Sequence, residues 1–136
     1  MTKHQVYLGL GSNLGDREET IRRAIALIAE RVGQVTRQSS LIETAPWGFE
    51  SENPFLNAVI RCETDLTPRQ LLRVTQRIER RLGRTKKSDD GYADRPIDID
   101  ILLYDDLTVS EPDLQIPHPL MHERDFVMKP LTEIQD

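Results

Sequence analysis

The segment Arg95-Pro96-Ile97-Asp98-Ile99-Asp100-Ile101-Leu102-Leu103-Tyr104 restricts the fold more than any other stretch of the chain. Isoleucine and aspartate alternate with a period of two, the pattern of a β-strand with one face in a core. Asp98 and Asp100 then project from the same face, about 6.6 Å apart along the strand. Carboxylates are too costly to bury unpaired, so that face either meets something cationic or lies in water. An edge strand with a solvated polar face satisfies the pattern. So does a magnesium–phosphate site, where carboxylates supply hard oxygen ligands and Arg95 a guanidinium for phosphate oxygens.

Composition sets the background for choosing between them. A chain of 136 residues is the size of one domain, here residues 1–136, and can enclose a real core. With 38% hydrophobic and 30% charged residues it reads as globular. The apolar runs are far too short for a membrane span and the start has no leader pattern, so the cytoplasm is the expected compartment. One cysteine, Cys62, excludes an internal disulfide framework and reads as a small core residue. The net charge of −5 argues against broad nucleic-acid binding. The cations are nonetheless bunched: Arg77, Arg80, Arg81, Arg84, Lys86, Lys87 and Arg95 fall in one segment. That segment is either a place for a compact polyanion or the solvated face of a helix.

Along the chain, Gln5–Leu10 reads as a first strand running into Gly9-Leu10-Gly11-Ser12-Asn13-Leu14-Gly15. The glycine spacing fits neither a dinucleotide fingerprint nor a P-loop, and instead predicts tight backbone after the strand, where a ligand could approach closely. Asp16 with Glu19 resembles a capping box, and Ile21, Ala24, Ile25, Ile28 and Val32 share a helical face, which predicts a helix over 16–31. Gln34–Glu43 is strand-like. Thr44–Pro54 breaks up around Pro46, Gly48 and Pro54 and carries Trp47 and Phe49, either a hydrophobic flap or a wall for a flat ligand. Phe55–Thr64 is another strand. Asn57 within it either makes a local hydrogen bond or reads the edge of a heterocycle with its paired donor and acceptor.

Thr67-Pro68-Arg69-Gln70 is a strong helix start, Leu71, Val74, Ile78 and Leu82 form its apolar face, and Gly83 ends it. Gln76 and Glu79 share a surface of that helix. Arg84–Asp94 has no apolar period and reads as a loop beside the aspartate strand. A turn follows at Asp105-Asp106, then a short strand near Leu107–Val109 and an extended Pro112–Pro119, in which prolines flank His118. One helical turn at Met121–Arg124 and a short last segment at Phe126–Ile134 complete the chain. Helices thus follow the first and third strands, the split β-α-β order of a ferredoxin-like α+β domain with a mostly antiparallel sheet.

Six pieces occur in register: Gly9–Gly15, Pro46–Asn57, Thr75-Gln76-Arg77-Ile78-Glu79, Arg95-x-x-Asp98-Ile99-Asp100-Ile101-Leu102, Pro117-His118 and Arg124-x-Phe126. In that order they resemble the 6-hydroxymethyl-7,8-dihydropterin pyrophosphokinase family over nearly the whole chain. The resemblance implies transfer of pyrophosphate from ATP to the hydroxymethyl group of the reduced pterin, with release of AMP, in folate biosynthesis. It implies two magnesium ions on Asp98 and Asp100, and a catalytic set of Arg84, Lys86, Arg95, Asp98 and Asp100. By the same likeness the pterin lies between Phe55 and Phe126, with Asn57, Thr44, Ala45 and Trp47 at its edge. ATP is expected to meet Gln76, Glu79, Lys86, Tyr92, Arg95, Ile101, His118 and Arg124. The likeness implies a monomer acting on these two small molecules, with no nucleic acid or membrane involved.

The chain departs from the family pattern at several points. Lys86 stands where a second loop arginine is usual, a point charge in place of a bidentate fork. Tyr92-Ala93-Asp94 replaces a tryptophan–glycine–proline run, Asp113 an arginine, and Pro119 an aromatic residue. The sequence stops at Asp136, where many members continue, so a slightly smaller fold is expected. Two other classes share parts of the pattern: a ferredoxin-like ligand-binding module without turnover, and a nucleotidyl-transfer domain using the aspartates on nucleic acid. The first needs no acidic pair together with aromatic walls, and the second lacks an extended basic stripe.

Overall fold

In a computed structural model the chain is described over residues 3–45, 54–83 and 96–135. The strands are β1 (His4–Ser12), β2 (Gly33–Gln38), β3 (Ile42–Thr44), β4 (Phe55–Thr64), β5 (Asp98–Tyr104), β6 (Val109–Glu111) and β7 (Leu114–Ile116). The helices are α1 (Arg17–Arg31), α2 (Pro68–Arg81) and α3 (Asp125–Ile134), with a single 3₁₀ turn at Met121–Glu123. Among these residues no helix is long and apolar enough to cross a membrane.

Both long helices begin as their sequences dictate. Asp16 accepts a hydrogen bond from the Glu19 amide at the start of α1. Thr67 and Gln70 close a full capping box on α2, each side chain accepting from the other's amide, with Pro68 in the first turn. Arg80 and Arg81 lie exposed in the last turn of α2, where positive charge suits the helix dipole.

The sheet order is β2-β4-β1-β5, with antiparallel neighbours throughout, and β3 pairs with β4 as well. The connections through α1 and α2 leave β4 and β1 side by side in the middle, which is the split β-α-β order expected of the chain. Val6, Leu8, Leu10, Ile60, Cys62, Ile99 and Ile101 form the main core with Ile21, Ala24, Ile28, Leu71 and Ile78 of α1 and α2. On the opposite face, Tyr7, Val59 and Leu102 pack against Met121 and against Val127, Leu131 and Ile134 of α3.

Three expectations need correction. The strand expected over Gln34–Glu43 is two strands, broken at residues 39–41. The Ser39 amide and hydroxyl pair with the Val59 backbone, while the Ser40 amide and hydroxyl turn out to the Glu133 carboxylate. The strand expected over Gln5–Leu10 runs on to Ser12, so Gly11 as well as Gly9 lies inside β1, and in the Gly9–Gly15 segment only Gly15 has the left-handed backbone, at φ 68°. The last segment is a ten-residue helix, α3, docked on the sheet face that α1 and α2 leave open.

Candidate functional site

Directly opposed residues of antiparallel strands point to the same face. Asp98 of β5 opposes Gly11 of β1, which opposes Asn57 of β4, which opposes Ile42 of β3. One step along, Asp100 opposes Gly9, which opposes Val59. Both rows lie on the face that carries α3, because Val59 belongs to its core. The two glycines therefore form a side-chain-free floor two strand spacings wide, roughly 10 Å from the aspartates to the amide. A Cβ on Gly11 would sit 3.1 Å from Asn57 Oδ1 and 3.5 Å from Phe55 Cδ1, so the floor is flat because nothing larger fits beside that wall. Glycines at i and i+2, read in the sequence as tight backbone after the strand and a place where a ligand could approach, were its signal.

The acidic side of the floor is set by its neighbours. Both aspartates are half-buried on β5. Glu79, only 4% exposed, reaches from α2 to accept the Ile99 amide at 2.8 Å. The backbone between Asp98 and Asp100 is thereby held from the open edge of the sheet. Sequence reasoning gave Glu79 to the nucleotide; no periodic pattern could reveal this contact across the fold. Gln76, half-buried, is on the same side of α2. His118 donates its amide to the Leu102 carbonyl at 3.0 Å, and its Nδ1 accepts from the Leu120 amide at 3.3 Å. That assigns the ring proton to Nε2, which lies 3.9 Å from Asp100 Oδ1. The Ile101 side chain is in the main core, so only its backbone is offered outside.

On the other side, Asn57 Nδ2 donates to Thr44 Oγ1 at 2.9 Å and to the Ile42 carbonyl at 3.3 Å. With its nitrogen turned to β3, the buried amide presents Oδ1 over the floor beside Gly11. Phe55 opposes Thr44 on the same hairpin. Ala45 follows, exposed. Phe126, in the first turn of α3, is part-buried against the second core, and the buried Arg124 guanidinium lies 5.7 Å from its ring centroid, a cation–π distance. The structure thus brings together Asp98, Asp100, His118, Thr44, Phe55, Asn57, Arg124 and Phe126 around the sheet face that carries α3, while Glu79 holds β5 from the α2 side. Trp47, Arg84, Lys86, Tyr92 and Arg95 lie outside the described residues.

One departure noted in the sequence, Asp113, receives a physical setting. Asp113 pairs with Arg69, which also reaches Glu111, so a guanidinium of α2 fastens the β6–β7 hairpin. The Arg69 hydrogen bond and charge hold the Asp113 carboxyl below its usual range. Among the described residues no group of three or more metal-binding side chains forms. A carboxylate pair alone suits magnesium, which keeps most of its shell for water and phosphate oxygens, and not a closed protein cage.

A split β-α-β sheet, with paired acids facing an amide–aromatic wall across a bare floor, defines a small α+β domain with its candidate site on one sheet face. The comparisons make this specific. The family described as 7,8-dihydro-6-hydroxymethylpterin-pyrophosphokinase (HPPK) matches residues 7–136. The 2-amino-4-hydroxy-6-hydroxymethyldihydropteridine pyrophosphokinase of Porphyromonas gingivalis is 53% identical over 131 residues, spanning 95% of this chain and 89% of the relative. The Bacillus subtilis protein of the same name is 45% identical, across 94% of this chain and 76% of its own length. A crystal structure of an HPPK-DHPS in complex with substrates superposes with a TM-score of 0.74 at 16% identity; it covers 98% of this chain, which spans 40% of that longer one. A Plasmodium falciparum HPPK-DHPS superposes with a TM-score of 0.72, also over 40% of its length. The chain belongs to the 7,8-dihydro-6-hydroxymethylpterin-pyrophosphokinase family.

Proposed function

We propose that this chain, as one pyrophosphokinase domain over residues 1–136, transfers the terminal pyrophosphoryl group of ATP to 6-hydroxymethyl-7,8-dihydropterin in folate biosynthesis. The pterin hydroxymethyl oxygen forms a bond to the β-phosphorus. The bond from that phosphorus to the oxygen it shares with the α-phosphate breaks, AMP departs with that oxygen, and the hydroxyl proton passes to solvent. The observation that carries the reading is the row Asp98–Gly11–Asn57 on one sheet face. It gives an anionic substrate and a flat one places on a common floor.

Asp98 and Asp100 are the residues that would hold magnesium, two ions by family likeness; bound there, the metal would neutralise triphosphate oxygens and polarise the transferring group. Glu79 fixes the strand that bears the acids, and His118 Nε2–H lies beside Asp100. Asn57 Oδ1 accepts from the pterin edge, Thr44 buttresses that amide, and Phe55 and Phe126 supply aromatic faces for the ring. Arg124, Gln76 and the Ile101 backbone take the nucleotide side, and Arg84, Lys86, Tyr92 and Arg95 remain its assigned partners from the loop. Trp47 and Ala45 complete the pterin edge. No protein nucleophile is required, since positioning and charge neutralisation supply most of the rate in phosphoryl transfer.

The enzyme works as a monomer in the cytoplasm, and nucleic acid has no part in the reaction. The test is direct: with ATP, magnesium and the reduced pterin, AMP accumulates one-for-one with pterin consumed. Pterin binding without AMP would instead mark a ligand-binding module.

A further inference from the structure

We propose that Arg17 is a positioning residue for the pterin wall, an inference that rests on the assignment of Thr44, Phe55 and Asn57 to that wall. Arg17 opens α1, and its guanidinium forks between two strands. Nη1 donates to the Pro54 carbonyl at 3.0 Å and Nη2 to Glu43 Oε2 at 3.1 Å. Pro54 immediately precedes Phe55, and Glu43 immediately precedes Thr44. Phe55 and Thr44 are themselves opposed in the ladder. One rigid planar group therefore ties both sides of the β3–β4 pair to the helix, one residue away from each wall side chain.

The wall needs such a tie. β3 is only three residues long, sits on the rim of β4, and has no fully buried residue. The ladder holds β4 against β1 only from Leu56 on, so the tilt of the outermost pair, Thr44 and Phe55, is not set by β1. Asn57 depends on that tilt, because its Nδ2 partners, Thr44 Oγ1 and the Ile42 carbonyl, are both on β3. Displacing β3 turns the Asn57 amide and so moves Oδ1, the atom presented over Gly11. The planar fork is the relevant chemistry: a lysine reaches one acceptor as a point charge and cannot span both in fixed geometry. Arg17 is half-buried and Glu43 exposed, with side chains 29% and 57% accessible, so the ion pair between them adds little to global stability. Geometry, not folding energy, is what its loss disturbs.

The experiment compares Arg17→Ala, Arg17→Lys and Phe55→Ala with the wild type. Affinities for the reduced pterin, with α,β-methylene-ATP and magnesium present, and for the nucleotide analogue alone are measured with thermal melting. Arg17→Ala is expected to weaken pterin binding about tenfold, the scale of a small misplacement in a site. Nucleotide affinity, melting temperature and kcat at saturating pterin stay at wild-type values, and Arg17→Lys fails to restore the loss. Wild-type pterin affinity in Arg17→Ala, an equal loss for both ligands, or full rescue by lysine would overturn the proposal. Phe55→Ala separates the two levels: if pterin affinity survives it, the wall assignment is wrong. If Phe55→Ala loses pterin while Arg17→Ala keeps it, only the role of Arg17 falls.

Discussion

Asn57 shows how much one side chain can settle. Asparagine is a poor strand residue, and its place in β4 is explained by what it touches: the β3 carbonyl and hydroxyl on one side and the glycine floor on the other. Asn57→Leu keeps the volume and strands two acceptors, so it should cost about 1–3 kcal/mol in denaturant unfolding and abolish pterin affinity. Gly11→Ala should lower stability and raise the pterin KM, since its Cβ arrives 3.1 Å from Oδ1 of the pinned Asn57 amide, which must give way. A pterin KM unchanged in Gly11→Ala would show that the floor is not where the ring lies. Cys62 lies in the main core, and burial pushes its thiol up to about 12. Iodoacetamide at pH 8 should therefore modify it only as fast as the protein unfolds. At this scale the sequence was informative where a residue type was out of place, as with Asn57 and the acids. It was silent on Arg17, whose partners are 26 and 37 positions away.

Among the elements, β5 carries the strongest local signal and still hides its main support. Its alternation was legible, and its side chains divide as the period requires from Asp98 to Leu102, after which a register shift against β1 puts Leu103 on the α3 side and Tyr104 in the main core. What the pattern could not contain is Glu79, because a carboxylate on an amphipathic helix reads as solvated until the helix is docked. Glu79→Ala would strand the buried Ile99 amide, with an expected loss of about 1–3 kcal/mol in unfolding free energy and of activity. Glu79→Gln retains an acceptor and should recover most of the stability; equal damage from both would place the role of Glu79 in its charge instead. The break between β2 and β3 was invisible for the same reason, since it is made by Val59 and Glu133. α3 escaped recognition because it is short and has Pro130 in its interior, and its helical state rests on packing against Tyr7, Val59 and Leu102.

For the whole molecule, acid sensitivity follows from three carboxylates that fasten one element to another. Asp105 is raised by burial, but its bonds from the Gln5 amide and His4 outweigh this and hold it low. Asp113 is held low by Arg69, and Glu133 by the Ser40 amide and hydroxyl. A carboxylate with a depressed folded pKa adds stability above its unfolded pKa, and loses it as pH falls through the folded value. Melting temperature should thus be flat near neutrality and drop as pH falls below about 4, where unfolded carboxylates titrate. Replacing Asp105, Asp113 and Glu133 by their amides should flatten that slope; an unchanged slope would place the acid lability elsewhere. Fold order, helix starts and the acidic strand were legible because they depend on neighbours in sequence. The clamps between elements were not, because each joins residues far apart in the chain.

The most direct test counts divalent ions. With α,β-methylene-ATP bound, electron paramagnetic resonance of added manganese, standing in for magnesium, should report two ions per wild-type chain. Asp98→Asn and Asp100→Asn should each lose at least one and turn over at least about a hundredfold more slowly. Full manganese occupancy with wild-type turnover in both variants would contradict the assignment of that acidic pleat to the metal.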